Sequence, residues 1–233
     1  ELYEIKDSIV VIIDVFRATS TMATALYTGA TKIIPVDSAE HCIEMGKQTG
    51  GITAGERDGK IIPGLAYGNS PSEYPRDFIE NKILVITTTN GTKLLHLALK
   101  QGAKDIITGS FPNFTKVVEY LKEQNAPVIL GCSGWKNRFN IEDVLFAGAV
   151  IEEIKDAFEI HCDSSFMANQ LYNQHKNKFY AGWINRFSPR ATVEWYKTGE
   201  SIGIYSVGVN TDGSKSGYKD ALESKGVALV GTE

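Results

Sequence analysis

The sequence predicts an α/β fold with a largely parallel sheet, and two observations carry that prediction. Short Val/Ile-rich runs, of the kind buried on both faces of a parallel sheet, alternate along the chain with stretches of helical character. One strand, Thr-rich turn, helix, Gly-Ala, strand unit is also written twice, as IVVIIDVFRATSTMATALYTGATKIIPV from Ile9 and as KILVITTTNGTKLLHLALKQGAKDIITG from Lys82. Aligned without a gap, Thr19 falls on Thr92, Ala25 on Ala98, Leu26 on Leu99, Gly29-Ala30 on Gly102-Ala103 and Ile33-Ile34 on Ile106-Ile107. A parallel sheet gathers its strand ends, and the helix N-termini that follow them, on one edge where anions bind. The turns Asp14 to Thr19 and Thr87 to Thr92 therefore read as two parts of one site.

Taken in order, strands are expected at Ile9 to Asp14, Lys32 to Val36, Ile83 to Thr87, Ile106 to Thr108 and Val128 to Cys132. Helices follow at Thr19 to Tyr27, Ala39 to Thr49, Gly91 to Lys100, Phe114 to Gln124 and Asn140 to Ala157. The last has the clearest start: Asn140 as N-cap, then Glu142 and Asp143 in the first turn, where the helix dipole favours acids. Residues 50–75, GGITAGERDGKIIPGLAYGNSPSEYP, are dense in Gly and Pro and read as a loop or small hairpin excursion. Beyond Ile160, Asp163 to Phe179 reads as a polar helix, Ile202 to Val209 alternates like a strand, and Asn210 to Gly217 is turn-like. The 233 residues suffice for one such domain or for two lobes.

Composition narrows the function classes. With 42% hydrophobic and 22% charged residues the chain has the balance of an ordinary globule, and no apolar run reaches the length of a membrane span. No basic stretch followed by an apolar core opens it, so no signal peptide is expected. A net charge of −4 argues against a nucleic-acid partner. Cys42, Cys132 and Cys162, odd in number and widely spaced, suit reduced thiols in the cytoplasm.

Several side chains are candidates for chemistry. Asp14 closes an apolar strand at the ligand edge, where a desolvated carboxylate needs a cation or hydrogen bonds; it reads as a metal ligand or acid/base group, or as a helix cap. Arg17 offers a planar fork of donors to phosphate, sulfonate or carboxylate. Thr88, Thr89, Asn90, Gly91 and Thr92 bring hydroxyls and free N–H groups to a helix start, without the Gly-Lys-Ser/Thr ending of a nucleotide-binding loop. Glu56 and Arg57 stand between glycines, and Asn69 and Ser70 form a polar turn. Cys132, Arg138 and Glu142 repeat the theme of strand end, basic residue and acid at a helix start. Cys132 and Arg138 have the Cys-x5-Arg spacing of cysteine phosphatases, but Trp135 and Lys136 spoil the compact, Gly-rich loop such a phosphate nest needs. Phe16 stands where the Asp-x-Asp of haloacid-dehalogenase-type enzymes would need its second acid. His41, His96, His161 and His175 are scattered without ligand spacing.

Taken together, VVIIDVFRATSTMATAL, AGERDGKIIPGLAYGNSP, ILVITTTNGTKLL, GSFPN and CSGWKNRFNIEDVLFAGAVIE resemble the 2-phosphosulfolactate phosphatases, the ComB family of coenzyme M biosynthesis. The resemblance runs from Val10 to Glu152, fades after Pro189, and leaves residues 190–233 as a divergent segment. It implies a three-layer α/β/α fold around a largely parallel or mixed sheet and a magnesium-dependent phosphatase of a small anionic phosphorylated 2-hydroxy acid; composition leaves no nucleic-acid or membrane partner expected, and a homodimer stays open. The favoured mechanism has Mg2+ held by Asp14 with help from Glu56 or Glu142, and Arg17, Arg57 and Arg138 neutralising phosphoryl and acid oxygens. Thr19, Asn69, Ser70, the Thr88 to Thr92 turn, Ser110 and Asn113 would line the substrate. The alternatives are an aspartyl-phosphate at Asp14, a non-catalytic anion-binding module, and a sugar-phosphate or nucleotide transferase whose recognition lobe would have to come from the C-terminal segment.

Overall fold

The computed structural model describes residues 3–57, 60–88, 90–134, 138–176 and 206–207. It is α/β, with its strands divided between two four-stranded sheets rather than gathered into one. The first unit runs from β1 (Ile9–Ile13) through α1 (Ala18–Tyr27) to β2 (Lys32–Val36), and the second from β5 (Ile83–Thr87) through α4 (Gly91–Lys100) to β6 (Asp105–Gly109). Each unit crosses between the sheets, in opposite senses. β1 and β6 pair in parallel in the first sheet, which β7 (Val128–Cys132) and β8 (Ser206–Val207) complete in the order β7-β1-β6-β8. β2 and β5 pair in parallel in the second, with β3 (Ile52–Arg57) and β4 (Lys60–Ile61), in the order β2-β5-β3-β4.

Alternation within the strands sorts their side chains into layers. Val10 and Ile12 of β1 join one buried cluster with Met22 and Ala25 of α1, Leu95 and Ala98 of α4, and Ile33, Leu84 and Ile86 of the second sheet. The two crossover helices thus share a core with the inward faces of both sheets. Ile9, Val11 and Ile13 point the other way, packing with Val117 and Leu121 of α5 (Phe114–Lys122) and with Phe146, Ala147 and Val150 of α6 (Ile141–Ile154). On the outer face of the second sheet, Ile34, Val36 and Val85 pack on Cys42 and Met45 of α2 (Ala39–Thr49), with Ile62 and Leu65 from the excursion. Each such fully buried aliphatic side chain contributes about 1.5–3 kcal/mol of transfer free energy.

The excursion is more ordered than its composition suggests. It is partly the expected hairpin, β3 against β4, but β3 is also a member of the parallel sheet, paired with β5 from Ile52 to Gly55. Glycine is required there: a Cβ on Gly55 would lie 2.8 Å from the Thr87 carbonyl oxygen. The tail of the excursion is held by Glu73, whose Oε2 accepts from the Gly68 N–H at 2.7 Å, and by the Tyr74 hydroxyl, which donates to the Gly68 carbonyl at 2.7 Å. A short helix α3 (Arg76–Ile79) then leads into β5.

The polar helix expected from Asp163 is α7 (Asp163–His175), seated on α6. Their backbones meet at Gly148, where a Cβ would stand 2.1 Å from the Ala168 carbonyl oxygen. Glu152 fastens the junction, accepting from Asn169 Nδ2 and Asn173 Nδ2 at 2.8 Å each and from Lys155 Nζ at 3.0 Å. Of the strand expected at Ile202 to Val209, Ser206 and Val207 pair antiparallel with β6; its remaining residues, and the turn from Asn210 to Gly217, lie outside the described residues.

Candidate active site

In the first sheet Ile13 is level with Gly109 and with Cys132, so the residues that follow, Asp14, Ser110 and Ser133, leave at one edge. In the second sheet Thr87 is level with Val36 and Gly55, which puts Thr88 and Glu56 at the corresponding edge. Because α1 and α4 both start from these edges and run into the shared core, their N-termini face each other. A methyl group on Gly91 would stand 3.5 Å from Asp14 Oδ2, 3.5 Å from Ala18 Cβ and 3.2 Å from Thr88 Oγ1. The two Thr-rich turns therefore meet, across the two sheets.

Asp14 is placed by strand parity. It continues the inward series Val10, Ile12, whereas Val15 continues the outward series Ile9, Val11, Ile13. One carboxylate oxygen does act as a cap, Oδ1 accepting from the Ala18 N–H at 3.2 Å, while Oδ2 faces Gly91. Burial raises the carboxyl to about 6, offset in part by the Ala18 hydrogen bond and reinforced by the like charges of Glu56 and Glu142; Arg17 counters them more weakly. Glu56 comes from the second sheet and Glu142 from α6 against the first, so their joint influence on Asp14 is the electrostatic sign that both sides converge. Burial also raises Glu142.

Several hydroxyls and amides expected to meet a ligand are engaged with backbone. Thr19 Oγ1 accepts from the Asp14 N–H at 3.1 Å and lies 2.8 Å from both the Asp14 and Gly109 carbonyls, tying α1 to the end of β6. Thr92 Oγ1 donates to the Thr88 carbonyl. Asn113 Oδ1 accepts from the Ser110 N–H at 2.9 Å and its Nδ2 donates to the Thr108 carbonyl at 2.9 Å, shaping the turn after β6. Ser70 Oγ instead meets a side chain, lying 3.1 Å from Ser72 Oγ. Others have polar atoms to offer: Thr88 Oγ1 and Asn69 Oδ1, both in residues at 4% exposure, have no hydrogen-bond partner among the described residues. Tyr67 bridges Ala54 in parallel, which carries Asn69 towards the same end of the sheet as Glu56.

Asn90 opens α4 as its N-cap, half-buried; Arg57 and Arg138 are exposed, Arg57 at the β3–β4 hairpin. Gly134, at φ +63°, would bring a Cβ to 2.5 Å from the Arg138 carbonyl, so the chain folds back there and returns Arg138 to the β7 edge. Thr89, and Trp135 to Asn137 within the Cys-x5-Arg stretch, lie outside the described residues. At that strand end Cys132 is exposed as a residue, but its thiol is still pushed up, by desolvation first and then by the Asp143 carboxylate, the opposite of what a thiolate nucleophile needs.

Asp143 is the residue that sequence reasoning passed over as a helix-start acid. It lies at 1% exposure, and its Oδ1 accepts from the Val15 N–H at 2.9 Å while Oδ2 accepts from the Gly134 N–H at 3.1 Å. Desolvation and then the Asp14 charge push it up to about 8, against the two backbone hydrogen bonds. The signal was in the helical period: Asp143 falls on the face of Phe146, Ala147, Val150 and Ile154, all in the outer cluster. An acid at the head of a buried stripe needs partners.

Carboxylates drawn together against their repulsion are hard oxygen donors of the kind Mg2+ takes. Among the described residues no three acids, histidines or cysteines form a ready cage. Mg2+ usually binds through one or two carboxylates, several waters and substrate oxygens, so Asp14 with Glu56 or Glu142 fits that habit.

A family model described as 2-phosphosulpholactate phosphatase matches residues 1–188. The chain is 35% identical over 181 residues to a probable 2-phosphosulfolactate phosphatase of Caldanaerobacter subterraneus subsp. tengcongensis, covering 76% of this chain and 74% of that protein. It is 44% identical over 145 residues to one from Thermotoga maritima, 62% of each chain, and 38% identical over 173 residues to one from Carboxydothermus hydrogenoformans, 73% of this chain and 71% of the other. The match thus spans less than two thirds of the Thermotoga protein and somewhat more of the other two. With the motif turns meeting at one edge and the family model running through both units and α7, this chain belongs to the 2-phosphosulpholactate phosphatase family.

Proposed function

We propose that the chain hydrolyses a small phosphorylated 2-hydroxy acid in the cytoplasm, 2-phospho-3-sulfolactate giving 3-sulfolactate and phosphate, with Mg2+ as cofactor. The observation that carries this reading is the meeting of Asp14 Oδ2 with the N-terminus of α4 over Gly91. A helix N-terminus presents N–H groups without intrahelical acceptors and the positive end of its dipole, so phosphoryl oxygens are favoured there, with Thr88 Oγ1 as a further donor. Asp14, Glu56 and Glu142 would hold the cation, which when bound polarises the phosphoryl group and orients water. Arg17, Arg57 and Arg138 supply more cationic forks than a phosphate monoester needs, in a chain of net charge −4, and suit a second acid group on the substrate. Asn69 extends the polar lining. The free cysteines Cys42, Cys132 and Cys162 suit a reducing compartment.

The test is phosphate release from 2-phospho-3-sulfolactate with and without Mg2+, beside a neutral alkyl phosphate of similar size. Losing a bidentate contact to the second acid should lower kcat/KM by roughly ten- to hundred-fold, equivalent to about 1.5–3 kcal/mol. Equal specificity constants for the two substrates would remove the arginines from acid recognition, and release independent of the cation would remove Mg2+.

A further inference from the structure

We propose that Asp143 is a positioning residue that locks the loops after β1 and β7 together from behind the site, and so sets the places of Asp14 and Arg138; this rests on the phosphatase reading above. Asp14 follows the inward face of β1, while Asp143 belongs to the α6 face packed on the outward one. From there its two carboxylate oxygens reach different strand ends: Oδ1 takes the Val15 N–H, one residue beyond Asp14, and Oδ2 takes the Gly134 N–H, beside the Arg138 carbonyl.

β1 and β7 are already neighbours, and the ladder between them continues in the Ser133 N–H donating to the Ile13 carbonyl at 2.8 Å. Past that bond the chains diverge, β1 into α1 and β7 into the loop towards α6. Val15 and Gly134 are where ladder bonding gives way to a side-chain acceptor. A carboxyl group suits this position because each of its oxygens keeps a lone pair for an N–H whether or not it carries the proton, whereas an amide would turn a donor towards one of the two N–H groups. At 1% exposure no water replaces a lost bond cheaply. The consequence for the reaction is geometric: a displacement of about 1 Å in a reacting group costs on the order of a hundred-fold in rate.

Asp143→Asn and Asp143→Ala test this, with Glu152→Gln as the control on the same helix, since Glu152 fastens α7 and lies outside the site. Amide hydrogen exchange should accelerate selectively at Val15 and Gly134 in both Asp143 variants. Per folded molecule, kcat on 2-phospho-3-sulfolactate should fall about ten- to hundred-fold in Asp143→Asn, with a smaller rise in KM. Glu152→Gln should lower Tm and leave kcat unchanged. Released amides with wild-type kcat and KM would overturn the positioning role, as would equal losses in the Glu152 variant. A wild-type chain that turns over no phosphomonoester would instead remove the phosphatase reading; affinity for inorganic phosphate by calorimetry would then decide the lock, unchanged affinity in Asp143→Asn counting against it.

Discussion

Asp14 carries two tasks on two oxygens, a cap to Ala18 and a face to the α4 turn, and the cap explains why a neutral replacement should keep the fold. Asp14→Asn preserves shape and an oxygen for the cap while removing charge. It is expected to lower Mg2+-dependent turnover at least about a hundred-fold with Tm within a few degrees of wild type, measured by phosphate release and thermal melting. Cys132→Ser should retain activity within about two-fold, because a thiol raised to about 12 is a poor nucleophile. A trapped thiophosphate together with an inactive Ser variant would reverse that assignment. The place of Asp14 beside the α4 turn was legible from its position at the end of an apolar run. That of Thr19 was legible only as a hydroxyl near the site, since its Gly109 contact joins residues far apart in the chain.

Among the elements, the junction of α6 and α7 depends on close backbone approach. Gly148→Ala would put a methyl into the Ala168 carbonyl, a contact that no side-chain rotation relieves. It should destabilise the chain by about 1–3 kcal/mol, read as a lower midpoint in urea, with kcat of the folded fraction unchanged. Helices α1, α2 and α4 could be read from the strand–helix alternation within a residue or two. Strand β3 could not, because ITAGER lacks an apolar alternation and gains its place from β5, where Gly55 fits against Thr87.

Over the whole molecule, buried acids make stability depend on pH. Asp14 and Asp143 have folded values raised to about 6 and about 8 from an ordinary value of 3.8, so the fold holds their protons more tightly than the unfolded chain does. The stabilisation they give is complete below the unfolded value and is lost as pH rises through the folded ones. Glu152 acts in the opposite sense: its hydrogen bonds lower it to about 2, so its contribution is present above 4.5 and fades as pH falls further. In chelator-treated protein, Tm should decline between about pH 5 and pH 8, and Asp143→Asn should flatten the upper part of that decline. Mg2+ should raise Tm more at pH 8 than at pH 5, since a cation competes with protons for the same oxygens. A Tm indifferent to Mg2+ at both values would take the cation away from Asp14.

The sequence by itself determined the α/β class and the twice-written strand, turn and helix, and it marked Asp14 and the α4 turn as candidates, because strand parity, helix caps and turn chemistry are local and leave their period in the chain. Only the tertiary structure decided that each unit crosses from one sheet to the other, that Glu56 of the second sheet and Glu142 of α6 both bear on Asp14, and that Asp143 accepts from the loops after β1 and β7. Parallel runs such as IVVII and ILVIT are apolar on both faces and carry no mark of which strand they will pair with. Pairing is settled by how the crossover helices bury their faces, and that is a property of the assembled core.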